Sequence, residues 1–157
     1  MTKTEKLVLE TDRLHLRPFV LDDAKEAIEM DSEPLVRQNI RFEPHYNLAQ
    51  KKKMIKNNVL GDYEKYGFGR LAVLEKSSDR FVGFAGLKFL TELGEVELNL
   101  RFKSEFWGAG LAHEAGQACV QFGFEQLKLN YIVALAFASN RRAHVLMNKL
   151  GFIYEND

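Results

Sequence analysis

Cysteine, proline and tryptophan are scarce here: one Cys, three Pro and one Trp among 157 residues. A lone thiol, Cys119, excludes a disulfide within the chain and fits a reducing compartment. With no positive partner evident and an apolar helical stripe around it, it reads as a buried packing residue rather than a nucleophile. Excess charge is missing as well, since Lys+Arg and Asp+Glu each number 22. No bulk field therefore draws the chain to nucleic acid or an anionic membrane, and partners must be chosen by local sites. Long apolar runs are absent, and no leader is visible, so the expectation is one cytoplasmic domain over residues 1–157. His15, His45 and His113 lack metal-ligand spacing, so no metal is expected.

What is present centres on Phe106-Trp107-Gly108-Ala109-Gly110-Leu111-Ala112-His113-Glu114-Ala115. Before it, Val96, Leu98, Leu100 and Phe102 alternate with Glu95, Glu97, Asn99 and Arg101, the period of a strand with one buried face. After it, Leu111, Ala115, Cys119 and Phe122 recur at helical spacing. Gly108 and Gly110 let the backbone bend and clear the way for a ligand. The first amides of the new helix lack partners and sit at the positive end of its dipole, where a phosphate or pyrophosphate would settle. The stretch is no dinucleotide fingerprint, because His113 stands where a third glycine belongs, and no P-loop, because Gly-Lys-Ser/Thr is absent. Gln117 replaces the second His of a zinc-protease helix. A plain turn before a packed helix is the alternative from local sequence alone.

Taken in order, residues 14–19 form a short strand that Pro18 keeps at a sheet edge or end. Asp23 and Glu26 read as a capping box opening a helix to about Met30. Residues 32–46, with Pro34 and Pro44, form a loop with at most a turn of helix. Asn47 and Gln50 open a second helix that stops at Gly61, with Lys51, Lys52 and Lys53 on a solvated face. Residues 68–74, 81–90 and 95–102 form an antiparallel meander. The helix from Ala109 to Lys128 leads to residues 131–137, an almost unbroken apolar run that suits a strand covered on both faces. Strand, crossover helix and strand place the last two strands parallel. Asn140 caps a final helix with Ala143, Leu146, Met147 and Leu150 facing inward, ended by Gly151.

Glu97-Leu98, the 106–115 stretch, and Asn140 through Lys149-Leu150-Gly151-Phe152 together resemble GNAT-superfamily N-acetyltransferases. The likeness extends from about Leu9 to Glu155 and is greatest for the branch that acetylates amino termini of ribosomal proteins, whose usual opening looks like Leu9-Glu10-Thr11-Asp12-Arg13-Leu14. The resemblance implies an α/β (α+β) GNAT fold: a mixed central sheet, antiparallel in its N-terminal part, with a splayed parallel strand pair and helices on both faces. It implies a V-shaped opening between the strands around Leu100 and Val133 that takes the pantetheine arm of acetyl-CoA, the expected co-substrate. The diphosphate is expected on the amides from Glu105 to Ala112, a segment comprising Glu105, Trp107, Gly108, Ala109, Gly110, Leu111 and Ala112. Leu100, Phe102 and Asn140 complete the expected acetyl-CoA contacts.

Two positions depart from the family pattern. Glu105 stands where Gln or Arg is usual, and a carboxylate beside a diphosphate is unfavourable unless it points away. Met147 and Ala143 stand where the family's Tyr and Ser acids are found, which leaves His144 as a weak candidate acid. Glu97 is the candidate base, and a backbone N–H near Asn99 or Leu100 the candidate oxyanion donor. The implied reaction is acetyl transfer to a primary amine, on a protein N-terminus or a small molecule. A module that binds acetyl-CoA without transfer is the alternative, and a nucleotide-binding protein using the same cradle a further one. Residues 37–46 and those after Tyr154 are expected to choose the acceptor. Relatives continue with another strand after Phe152; here either that strand is absent, or a second copy supplies an edge, or the sequence is shortened, and an uncovered edge favours pairing with a second copy.

Overall fold

The computed structural model describes residues 7–40 and 43–155. Five strands form one sheet in sequence order: β1 (Leu9–Glu10), β2 (Leu14–Pro18), β3 (Arg70–Glu75), β4 (Arg80–Leu90) and β5 (Glu95–Phe102). Each pairs antiparallel with the next. The meander follows directly from the turn residues around Asp79 and Gly94, both of which adopt positive φ. Between β2 and β3 lie α1 (Ala24–Asp31), α2 (Pro34–Arg37), α3 (Leu48–Met54), a π-helical segment (Ile55–Leu60) and α4 (Gly61–Tyr66). After β5 come α5 (Leu111–Glu125) and α6 (Arg141–Lys149).

The two-residue period of β4 and β5 sorts their side chains onto two faces. Leu87 and Leu98 are cross-strand partners whose face packs against α5, where a side chain at Gly123 would strike Leu87 Cδ1. Phe84, Lys88, Glu97 and Arg101 occupy the opposite face, reached by α1 through Asp31. Both faces are therefore covered, and the core runs from Leu14 and Leu16 through Val73, Val82 and Leu87 to Cys119.

Several local expectations need correction. The helix opened by Asn47 does not stop at Gly61, where φ is an ordinary helical −61°. It continues through the π segment into α4 and ends at Gly67, whose φ of +80° is the left-handed cap that glycine supplies. The extra residue of the π segment aims Ile55, Val59 and Tyr63 into the core. Tyr63 accepts from the Phe19 N–H at 3.0 Å and donates to the Arg70 carbonyl, fastening α4 to β2 and β3. Asp23 does not cap α1; its carboxylate accepts from the Val20 N–H and pairs with Arg17 at 2.8 Å. Lys51 is not solvated: it is buried and its Nζ donates to Asp31 at 2.8 Å.

The parallel pair is real but reduced to one bridge, Glu97 with Val133, among the described residues. Leu98 N–H donates to Val133 O at 2.8 Å and Val133 N–H to Val96 O at 2.9 Å. The apolar run at 131–137 is not covered on both faces. Ile132 is buried against α5, where a side chain at Gly123 would strike its Cδ1, while Tyr131 and Leu135 are exposed. An unbroken apolar run marks two covered faces only where two layers are present, and here one layer meets it.

The Asn47–Gln50 capping box forms as the sequence indicates, with Asn47 Oδ1 accepting from Gln50 N at 2.8 Å and Gln50 Oε1 from Asn47 N at 2.9 Å. Asn47→Ala should therefore lower unfolding free energy by about 1 kcal/mol in urea denaturation. An unchanged midpoint would mean the box contributes nothing to the folded state.

Candidate functional site

Directly after β5 the chain makes a single 3-10 turn (Ser104–Phe106) and enters the glycine stretch. Gly108 (φ +83°) and Gly110 (φ +80°) both take the left-handed conformation, which other residues adopt only under strain. Gly110 is the N-cap of α5 and offers no capping side chain. The N–H groups of residues 108–113 donate to no protein acceptor among the described residues. Six free amides beside two left-handed turns form a donor surface at the positive end of a helix of fifteen residues. A side chain at Gly108 would meet nothing within 4 Å, so the approach to that surface is open. These features fit a diphosphate held by backbone.

The cradle is tied to the first strands by contacts that sequence reading missed. Arg13 donates through Nη1 to Ala109 O at 2.9 Å and through Nε to Glu114 Oε1 at 2.8 Å. Its backbone N–H donates to Glu114 Oε2 at 2.9 Å, and the Thr11 hydroxyl donates to the same oxygen. Burial works to raise the Glu114 carboxyl, yet the Thr11 hydroxyl and both Arg13 donors outweigh it and hold its pKa below the usual range. A carboxylate in the first turn of α5 also suits the helix dipole. The signal was a Thr-x-Arg triplet upstream paired with Glu114, a hundred residues away, which local spacing cannot join.

The expected diphosphate-side residues lie together. Glu105 turns away from the cradle, with Arg80 Nη2 donating to its Oε1 at 2.7 Å, and that bond holds its pKa below the usual carboxylate range. Trp107 packs: its Nε1–H donates to Phe102 O at 2.9 Å, and the Arg142 guanidinium lies 4.8 Å from its ring. Leu111 and Phe102 are buried, while Leu100 is half-buried toward α5. Ala112 is half-buried.

The other expected residues surround the sheet edge. The alternation that aims Leu98 N–H at Val133 aims Leu100 N–H along the same edge, where it finds no acceptor among the described residues. This selects Leu100 over Asn99, whose amide faces β4. Glu97 is buried, at 6% exposure, rather than solvent-facing, and accepts from Asn99 Nδ2 at 2.7 Å. Lys88 is its cross-strand partner; burial, then the nearby Arg70, pushes the Lys88 pKa down. Asn140 caps α6, with Oδ1 accepting from Ala143 N at 3.2 Å. His144 has Nε2 3.1 Å from Phe137 O and packs edge-on to Tyr154. Met147 is half-buried against the core. Among the described residues no three His, Cys, Asp or Glu side chains gather as a metal site, and no helix is long and apolar enough to cross a membrane.

Comparison with known proteins points to one family. The sequence model of the acetyltransferase (GNAT) domain matches residues 13–153. An uncharacterized N-acetyltransferase of Bacillus licheniformis, p20, is 31% identical over 146 residues, spanning 92% of this chain and 81% of its own. Spermidine N(1)-acetyltransferase of Escherichia coli K12 is 25% identical over 146 residues, spanning 90% of this chain and 74% of its own. A solved GNAT-family acetyltransferase from Bordetella pertussis superposes with a TM-score of 0.79 at 28% identity, covering 96% of this chain and 90% of that one.

Behind the cradle, Cys119 lies on the buried side of α5, and burial pushes its thiol from 9.0 up to about 12. Because the folded value exceeds the unfolded one, its contribution to stability is complete below pH 9 and is lost as pH rises toward 12. At pH 8, alkylation by iodoacetamide should run about a hundredfold slower in the native protein than in urea. Equal rates would place the thiol in solvent.

Proposed function

The chain belongs to the GNAT acetyltransferase family, and from that premise we propose that it moves an acetyl group from acetyl-CoA directly to a primary amine, on a protein N-terminus or a small molecule, with both substrates bound at once. Residues 9–14 and 106–115 support a place in the branch that acetylates ribosomal-protein amino termini. Bound acetyl-CoA supplies the activated thioester carbonyl. The observation that carries the reading is the run of amides at 108–113 without partners among the described residues, one turn downstream of an open sheet edge.

In this reading the amides of residues 108–112 hold the diphosphate, with Arg13 bracing Ala109 from behind. Asn140 caps α6 with Oδ1 and turns its Nδ2 to the pantetheine. Leu100 N–H donates to the oxygen on which negative charge develops. Glu97 takes the proton of the amine, and Asn99 holds that carboxylate in place. A lysine-type amine, with a pKa near ~10.4, needs such a base more than an α-amine near ~7.7 does. No side chain need protonate the leaving sulfur. Met147 and Ala143 stand at the acid positions, and His144 holds a proton on Nε2 against Phe137 O. Direct transfer is supported by the burial of Cys119, the one thiol of the chain, which leaves no exposed thiol to carry the acetyl group.

Two variants test the halves of this proposal. Gly108→Val introduces a branched side chain where φ is +83° and the cradle is open. Coenzyme A affinity, measured by titration calorimetry on folded protein, should fall at least about tenfold, or ~1.4 kcal/mol. Undiminished affinity would sink the diphosphate site. Glu97→Gln should lower kcat/KM for a lysine-type amine by roughly a hundredfold, with a smaller loss for an α-amine. Labelled acetyl-CoA that binds but is passed to no amine or peptide would favour a binding module instead.

A further inference from the structure

On the face of the sheet opposite α5 lies a small hollow of about 20 Å³, room for one small polar group, whose lining includes Asp31, Glu43, Lys51, Arg70, Phe84 and Arg101. Most of its charges are matched. Asp31 is shared by Lys51 Nζ at 2.8 Å and Arg101 Nη1 at 2.9 Å, and Arg101 also reaches Glu43 at 3.3 Å. Arg70 is the exception. It is 8% exposed, and its Nε is the one buried side-chain nitrogen or oxygen without a hydrogen-bond partner among the described residues. Its guanidinium lies 5.9 Å from the Phe84 ring, a contact that leaves the N–H edges unused.

The carboxylates facing Arg70 do not satisfy it. Asp62 and Glu43 lie within electrostatic range, Lys88 and Arg101 oppose it, and none of the carboxylates closes an ion pair with it. Burial pushes the Asp62 pKa up, toward its neutral form. A guanidinium taken from water without a partner is costly unless a ligand completes it. Arg70 opens β3 directly before an apolar run, and its contact with the Phe84 ring gives its N–H groups no acceptor.

The hollow also has a direction. Arg70 pairs across the sheet with Gly86, and Gly86 with Asn99, whose Nδ2 donates to Glu97. One row across three strands thus leads from Arg70 through Gly86 to Asn99, the residue whose amide holds the candidate base. At about 4.8 Å per strand the row spans ~10 Å, the length of a small acceptor molecule.

We propose that this hollow is where the acceptor is anchored, and that Arg70 binds an oxyanion, carboxylate or phosphate, carried on the acceptor while its amine lies at Glu97. The assignment rests on the acetyl-transfer reading and narrows it. Amines bearing a negative group are selected, and a polycation such as spermidine meets a buried guanidinium and is disfavoured. The recognition is charge-assisted and planar, which arginine supplies and lysine supplies only in part.

The test measures labelled acetyl transfer to paired acceptors: 4-aminobutyrate against butylamine, O-phosphoethanolamine against propylamine, and spermidine. The anionic member of at least one pair should have kcat/KM about tenfold or more above its neutral partner. The pair that shows it identifies carboxylate or phosphate. Arg70→Gln should bring that ratio close to one, and Arg70→Lys should restore part of it, in proteins whose circular dichroism and coenzyme A affinity match the parent. A ratio near one in the parent, or one unchanged in Arg70→Gln, overturns the proposal. If no amine is acetylated, calorimetry with glutarate and inorganic phosphate decides separately. Saturable binding that Arg70→Gln abolishes keeps the oxyanion site while the transfer reading fails, and absence of binding overturns the site.

Discussion

A strand that is paired along its whole length on one side and at a single residue on the other is the constraint on which the site depends. β5 is bound to β4 from Gly83↔Phe102 to Leu90↔Glu95, so its position and twist are set by the sheet. On its outer side the bridge at Glu97 and Val133 holds the later segment, and among the described residues the pairing then ends. Had it continued, Leu100 N–H would have been consumed by a neighbouring carbonyl. Because it stops, one backbone donor lies at the edge beside a carboxylate on the same strand. The chemistry proposed here needs both, and it needs them rigid.

The cradle depends on a different kind of fixation. Glycines that free a set of amides also free the backbone to wander, and two left-handed residues close together are a weak hinge. The Thr11–Arg13–Glu114 contacts oppose that tendency by tying the first turn of α5, and the Ala109 carbonyl within the loop, to the segment joining β1 to β2. The cradle is thereby referenced to the sheet at both ends, through β5 on one side and through Arg13 on the other. Glu105 adds a complementary effect, since its ion pair with Arg80 removes a negative charge from the mouth of the cradle.

Much of this was legible in the residues. The alternation at 95–102 and the turn chemistry around it give the meander to within two residues, and the capping signals at Asn47 and Asn140 act as they read. What escaped has a common physical origin. Gly61 looked like a stop because a helix ends where a residue can turn left-handed, but only tertiary packing decided that Gly67 does so instead. Lys51 looked solvated because it belongs to a run of lysines, and Asp31 on another helix determined otherwise. Residues 131–137 looked doubly buried because hydropathy reports composition, not how many layers are there to meet it. The same limit hid Arg70 and Arg13, whose roles are set by partners tens of residues away.

Tyr63 carries a consequence for the acceptor side. Its hydroxyl spans Phe19 N–H and the Arg70 carbonyl, and burial drives its pKa far above that of an exposed phenol. The clasp beside the hollow therefore keeps its proton throughout the alkaline range in which amines shed theirs and become nucleophilic. Conditions that deprotonate an amine leave this clasp intact, although they also discharge Lys88, whose pKa burial and the nearby Arg70 push down.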